Sequence, residues 1–187
     1  MANRKSRRIW VIAAAVVVAV GSIVGVVLSR VSPSPSDSTP EHQGAPDFTL
    51  TTMTGANITL SDLEGTPVVL NFWSISCAYC RQQLPYVENV TRQAEGEIQT
   101  IAINIVDTAA GLQNFFREYE PAMIIALDQN RATFVSYCQN FDNARGYIPF
   151  TLFIDSEGMV RYKKIGAFAS EEALREALHD ALGITIP

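Results

Sequence analysis

Val68-Val69-Leu70-Asn71-Phe72 is an almost unbroken apolar run of strand length, and it leads within five residues to the motif Cys77-Ala78-Tyr79-Cys80. A strand without polar alternation is buried on both faces, so the chain must supply helices to cover two sides of one sheet. From Cys77 to about Glu95, Leu84, Val87, Val90 and Ala94 recur at helical spacing, which predicts a helix that starts at the cysteine pair and is kinked at Pro85. The free N–H groups and the dipole at a helix N-terminus favour an anion, so the first thiol is held as thiolate, the form that attacks a disulfide. Cys77 is the candidate nucleophile. One helical turn brings Cys80 close enough to attack the resulting mixed disulfide and release the product, which makes Cys80 the candidate resolving thiol.

Two thiols at this spacing also suit half of a zinc site or a small structural bridge. Zinc usually takes four ligands, and beyond the pair the chain holds only Cys138 and two separated histidines, His42 and His179. A bridge closing so short a loop constrains the unfolded chain little. The pattern favours redox chemistry, with no metal and no cofactor other than a redox-active Cys77–Cys80 disulfide. Cys138, on a predicted helix, is a small buried hydrophobe or a further redox partner.

The remaining pattern alternates strands and helices. Residues 47–50 and 57–60 read as an N-terminal hairpin across Met53-Thr54-Gly55. Residues 98–106 alternate like a strand, 112–119 and 131–139 read as helices, and 124–127 is a short apolar strand. Residues 150–154 and 159–165 form a hairpin across Ser156-Glu157-Gly158. Ala173, Leu174, Ala177, Leu178, Ala181 and Leu182 then trace one face of a last helix capped by Ser170. The class is α/β with a mixed sheet. Pro149 opens a buried strand, where proline is poorly tolerated without a special reason.

Several segments together resemble a known family. They are Ala45-Pro46-Asp47-Phe48-Thr49-Leu50, Leu60-Ser61-Asp62-Leu63, Gly65-Thr66-Pro67 running into Val68 to Trp73, Cys77-x-x-Cys80 with Pro85, and Ile148-Pro149-Phe150-Thr151-Leu152-Phe153-Ile154-Asp155-Ser156-Glu157-Gly158. Their order and spacing resemble the membrane-anchored thioredoxin-like proteins of the TlpA/ResA type, in the AhpC/TSA-Redoxin superfamily, over residues 45–182. The resemblance implies a thioredoxin-like fold, a central mixed β-sheet flanked by helices, with an N-terminal β-hairpin extension. It implies that Pro149 is cis and faces the cysteine pair, that the backbone of Ile148 pairs with bound substrate, and that Trp73 belongs to the active-site wall. It also implies thiol:disulfide oxidoreductase activity on exported proteins, apocytochrome c before haem attachment among them. Electrons would arrive from an integral membrane thiol carrier of the CcdA/DsbD type.

The departures from that family are specific. Thioredoxins place an Asp at the position of Asn71, ResA-like proteins use a Glu at the position of Gln83, and Ala78 and Tyr79 stand where a proline is common. A buried carboxylate would accept the proton of the resolving thiol, so here water or another group has that task. A copper-handling thioredoxin-like module is a non-catalytic alternative, although Sco-type proteins use a wider C-x-x-x-C pair and a loop histidine. A peroxiredoxin would need proline at position 70 and threonine at position 74, where Leu70 and Ser74 stand.

The N-terminal part carries the address. Residues 1–8 are basic, and residues 9–28 form a run in which only Gly21, Ser22 and Gly25 are not apolar. As a helix that run would reach about 30 Å, enough to span a bilayer core. It is longer than the apolar region of a cleaved signal peptide, so it reads as a transmembrane signal anchor with the N-terminus in the cytoplasm and the rest outside. Residues 29–43 form a Ser/Pro-rich linker, and residues 44–187 form the folded domain. From residue 31 onward nine basic residues face 19 acidic ones, a balance that argues against a nucleic-acid partner.

Overall fold

The structure, a computed structural model, describes residues 43–187. Its elements run β1 (Thr49–Thr52), β2 (Asn57–Thr59), a 3₁₀ turn (Leu60–Leu63), β3 (Val68–Trp73), α1 (Ala78–Gln93), β4 (Gln99–Asn104), α2 (Ala109–Phe115), β5 (Ile124–Leu127), α3 (Ala132–Asn140), β6 (Phe150–Ile154), β7 (Val160–Ile165) and α4 (Glu171–Leu182). One seven-stranded mixed sheet has the order β2-β1-β5-β4-β3-β6-β7. Its centre, β3, β4 and β5, is parallel, while β6 and β7 on one side and β1 and β2 on the other are antiparallel. This is a thioredoxin-like α/β fold with an N-terminal hairpin extension.

The side-chain alternation of β3 divides the core. Val69 and Trp73 face α1 and α4, where they join Leu84, Val87, Leu174 and Leu178. Val68, Leu70 and Phe72 face the other way, onto Phe134, Tyr137 and Cys138 of α3. Each buried Val, Leu or Phe contributes about 1.5–3 kcal/mol relative to exposure, so burial on both faces anchors β3 at the centre of the sheet. The sheet thereby holds the C-terminal ends of β3 and β4 and the start of β6 at one edge, where Phe72 lies opposite Phe150.

Boundaries differ from the sequence expectation in places with identifiable causes. β1 begins at Thr49 rather than Asp47, because the Asp47 carboxylate is occupied by the N–H of Phe48 and the N–H and hydroxyl of Ser61. β4 is buried at five successive positions instead of alternating, as a central parallel strand covered on both faces must be. α2 starts at Ala109, capped by the Thr108 hydroxyl, and ends at Phe115, earlier than residues 112–119 imply. α1 runs through Pro85 from Ala78 to Gln93. The predicted membrane span and all of the predicted linker but Gln43 lie outside the described residues; Gln43 accepts the Val160 N–H and so belongs with the folded domain, and among the described residues no helix is long and apolar enough to cross a membrane.

Candidate active site

Trp73 ends β3, and Ser74-Ile75-Ser76 carries the chain out of the sheet to Cys77, the N-cap of α1. Cys77 adopts an extended conformation with φ −80° and ψ 112°, and its sulfur accepts the Cys80 N–H at 3.1 Å. The sulfur thus takes the place of the Ser or Asp oxygen that usually caps a helix. A disulfide joins Cys77 to Cys80, with their Cα atoms 5.2 Å apart. Cys77 is half-buried, whereas Cys80 is only 1% exposed and packs with Leu84 and Val87. Only the first sulfur can be reached by a large partner.

The loop before the pair is fixed from two sides. The Arg81 guanidinium donates to the Ile75 carbonyl, and the Asp107 carboxylate accepts the Ile75 N–H at 2.8 Å. Asp107 is itself set by buried Asn104, which donates to its carboxylate at 2.8 Å and accepts the Val106 and Asp107 N–H groups. Nothing in the sequence around Asn104 announces this, because Asp107 and Ile75 follow two different strands.

Across the pair, the Ile148–Pro149 peptide bond is cis, and the Ile148 carbonyl oxygen lies 3.7 Å from Cys77 Sγ. Pro149 is buried and Ile148 half-buried. The approach to this bond is held by buried Asn143, whose side chain accepts the Tyr147 N–H at 3.0 Å and donates to the Tyr147 carbonyl at 2.9 Å. No motif in the sequence marks Asn143; the nearby Gly146, at φ 63°, is the local sign of a tight turn there.

The structure therefore brings Cys77, Cys80, Ile148 and Pro149 together, and it corrects one expectation. Trp73 does not present a surface to substrate: it is fully buried, packed on Phe115 and Phe116, with an indole N–H that has no hydrogen-bond partner. As the last residue of a central strand it is covered on its own face by helices, so it backs the disulfide from beneath.

Below the pair lies a neutral polar cluster. Asn71 and Thr151 are directly opposite across β3 and β6, and Gln83 reaches them from α1. Gln83 donates to Asn71 at 3.1 Å and to Thr151 at 3.2 Å, Thr151 donates to Asn71 at 3.1 Å, and Gln83 accepts the Phe168 N–H at 2.9 Å. All three side chains are buried. The positions where the resemblance leads one to seek carboxylates are thus occupied by amides that satisfy one another. Cys138 lies in the core on the opposite face of the sheet, and burial pushes its thiol pKa up, with Arg131 opposing the shift weakly. Its thiolate is disfavoured, which suits packing rather than exchange. Among the described residues no group of three or more His, Cys, Asp or Glu side chains is placed to hold a metal ion.

The chain matches the Redoxin family over residues 40–178. It is 30% identical over 129 residues to the thiol-disulfide oxidoreductase ResA of Bacillus cereus, covering 68% of this chain and 71% of that one. To ResA of Bacillus subtilis it is 27% identical over 158 residues, covering 84% of each chain. Among solved structures, a Chlorobium tepidum protein assigned as the thiol:disulfide interchange protein DsbE superposes with a TM-score of 0.67 at 28% identity, covering 78% of this chain and 100% of that one. With the paired cysteines at the helix N-terminus and the sheet order that places them, these likenesses lead to one conclusion: the chain belongs to the Redoxin family, and it is a thioredoxin-like thiol:disulfide oxidoreductase of the ResA type.

Proposed function

We propose that the protein reduces disulfides in exported proteins, outside the cytoplasm, from a domain tethered by residues 9–28. The observation that carries this reading is the asymmetry of the pair: a half-buried Cys77 sulfur at the helix N-cap and a buried Cys80 one turn behind it. The Cys80 N–H and the positive end of α1 stabilise a thiolate at Cys77 by about 0.3–1 kcal/mol or more.

In the reduced enzyme the Cys77 thiolate attacks one sulfur of the client disulfide. The client S–S bond breaks as a mixed disulfide forms, and the departing client thiolate takes a proton. Cys80, deprotonated, then attacks Cys77 Sγ, releasing the second client thiolate and leaving the Cys77–Cys80 disulfide. The enzyme gives the client two electrons, and the client's two protons come through solvent, which took one from Cys77 when its thiolate formed and one from Cys80. Asn71, Gln83 and Thr151 are neutral and mutually bonded and offer the Cys80 thiol no base, so water or another group takes its proton. Apocytochrome c awaiting haem is one client consistent with the ResA-type likeness, and a membrane thiol carrier of the CcdA/DsbD type would restore the dithiol.

Cys77→Ser is expected to abolish reduction of a disulfide-bearing protein substrate, and Cys80→Ser to accumulate the mixed disulfide, visible as a higher-mass band that reductant removes. Turnover by Cys77→Ser would overturn the mechanism.

A further inference from the structure

The acidic surplus of the domain leaves its few cations conspicuous. Arg92, Arg117, Arg161, Lys163 and Arg175 each pair with a carboxylate. Arg131 and Lys164 lie over the Phe134 and Phe168 rings. Among the described residues, the two basic side chains with neither kind of partner are Arg81 and Arg145, and both flank the disulfide. Arg81 follows Cys80 on α1 and donates to the Ile75 carbonyl. Arg145 lies in the loop before Ile148, whose carbonyl oxygen is 3.7 Å from Cys77 Sγ, and donates to the Tyr147 hydroxyl at 3.1 Å. Both are exposed, and a guanidinium has five N–H donors, so most of each fork stays open to a partner.

The same rim carries aromatic surface with nothing in the fold to cover it. Tyr79, between the two cysteines, is 68% exposed, and Tyr147, which precedes Ile148, is 53% exposed. Tyr and Arg are the residue types that anchor protein interfaces, Tyr because a rigid ring buries area at low entropic cost. A carboxylate-rich domain repels acidic partners everywhere except where cations stand unpaired.

We propose that Arg81 and Arg145, with Tyr79 and Tyr147, form a clamp that selects client segments carrying Asp or Glu close to the disulfide cysteine. The clamp rests on the reductase reading and names the substrate class for it. A carboxylate on each side of the client cysteine would meet one guanidinium, while the tyrosine rings pack on the intervening chain. Exposed ion pairs are individually weak, so two of them predict a preference of about tenfold, sensitive to salt.

The test uses the full chain in detergent, reduced and freed of reductant, with two peptides that share one intramolecular disulfide and differ only in Asp or Asn flanking a cysteine. The readout is the ratio of the second-order rate constants with which the two peptides oxidise the reduced chain in a single turnover. Any influence of Arg81 on the Cys77 thiolate acts on both peptides and cancels in that ratio. The Asp peptide is expected to be favoured about tenfold at low salt, with the ratio falling towards one at high salt and in the Arg81→Gln/Arg145→Gln double variant. Arg92→Gln removes the same charge at the far end of α1 and is expected to keep the preference. A ratio near one in the parent chain at low salt, or a ratio unchanged in the double variant, would overturn the clamp. Reduction of neither peptide would remove the reductase activity on which the clamp rests, and the clamp with it.

Discussion

Gln83 accepts the Phe168 N–H and donates to both Asn71 and Thr151, so its amide is fully used inside the core. Gln83→Glu would replace the two donated hydrogens with an oxygen facing the Asn71 carbonyl in a site with no exposure. Burial and the loss of donors both disfavour the charged form, so the pKa of the new carboxyl in the folded state should lie above the unfolded value of about 4.3. The folded variant then binds more protons than the unfolded one, and its stability falls as pH rises through that interval. The variant is expected to match the parent in urea at about pH 4 and to fall behind by about 1.4 kcal/mol for each unit of displacement as pH approaches neutrality. A pH-independent difference between the two would show that the site accommodates a charge. Such a cluster could not be read from the sequence, because Gln83 and Thr151 meet across 68 positions. The motif around Cys77 and Cys80 could be, because strand, cap and helix follow one another in the chain.

The β6–β7 hairpin shows what one turn contributes to an element. Asp155 accepts the N–H groups of Glu157 and Met159, each at 2.9 Å, and pairs with Arg161, while Gly158 takes the positive φ of 78° that the turn requires. Burial alone would raise the Asp155 pKa and is the largest single influence, but the Met159 N–H, Arg161 and the Glu157 N–H together outweigh it, so the pKa lies below the ordinary value. A depressed folded-state pKa contributes stability that is present above the unfolded value of about 3.9 and is lost as pH falls through the folded one. Asp155→Asn is expected to cost about 1–2 kcal/mol at neutral pH and to flatten the acid limb of the stability profile, read by thermal unfolding from neutral pH downward. An unchanged acid limb would place the acid sensitivity elsewhere. The Ser156-Glu157-Gly158 signal makes this hairpin legible in the sequence, and Ser170 does the same for α4, whose cap accepts the Ala173 N–H. α2 is shifted from the expected residues because Phe116 and Tyr119 continue the helical spacing after the helix has stopped. They serve tertiary packing there, with Phe116 edge-on to Phe115 and to Tyr119.

At the scale of the whole molecule, the sheet gathers three strand ends around one sulfur, and we propose that the chain before residue 43 determines where that sulfur is used. The apolar run at residues 9–28 and the basic residues ahead of it lead us to expect that the full chain, expressed in a bacterial host, sediments with membranes. Reduced Cys77 should then be labelled on intact cells by a maleimide that does not cross the membrane, and deletion of residues 1–28 should release the domain. Labelling that requires permeabilised cells would place the domain in the cytoplasm. If Cys77 and Cys80 deliver electrons rather than accept them, as we propose, the reduction potential of the couple will show it. Equilibration of the full chain in redox buffers with thiol trapping is expected to give a midpoint near that of thioredoxin, about −270 mV. A midpoint near about −120 mV, as in strong disulfide donors, would contradict a reductase.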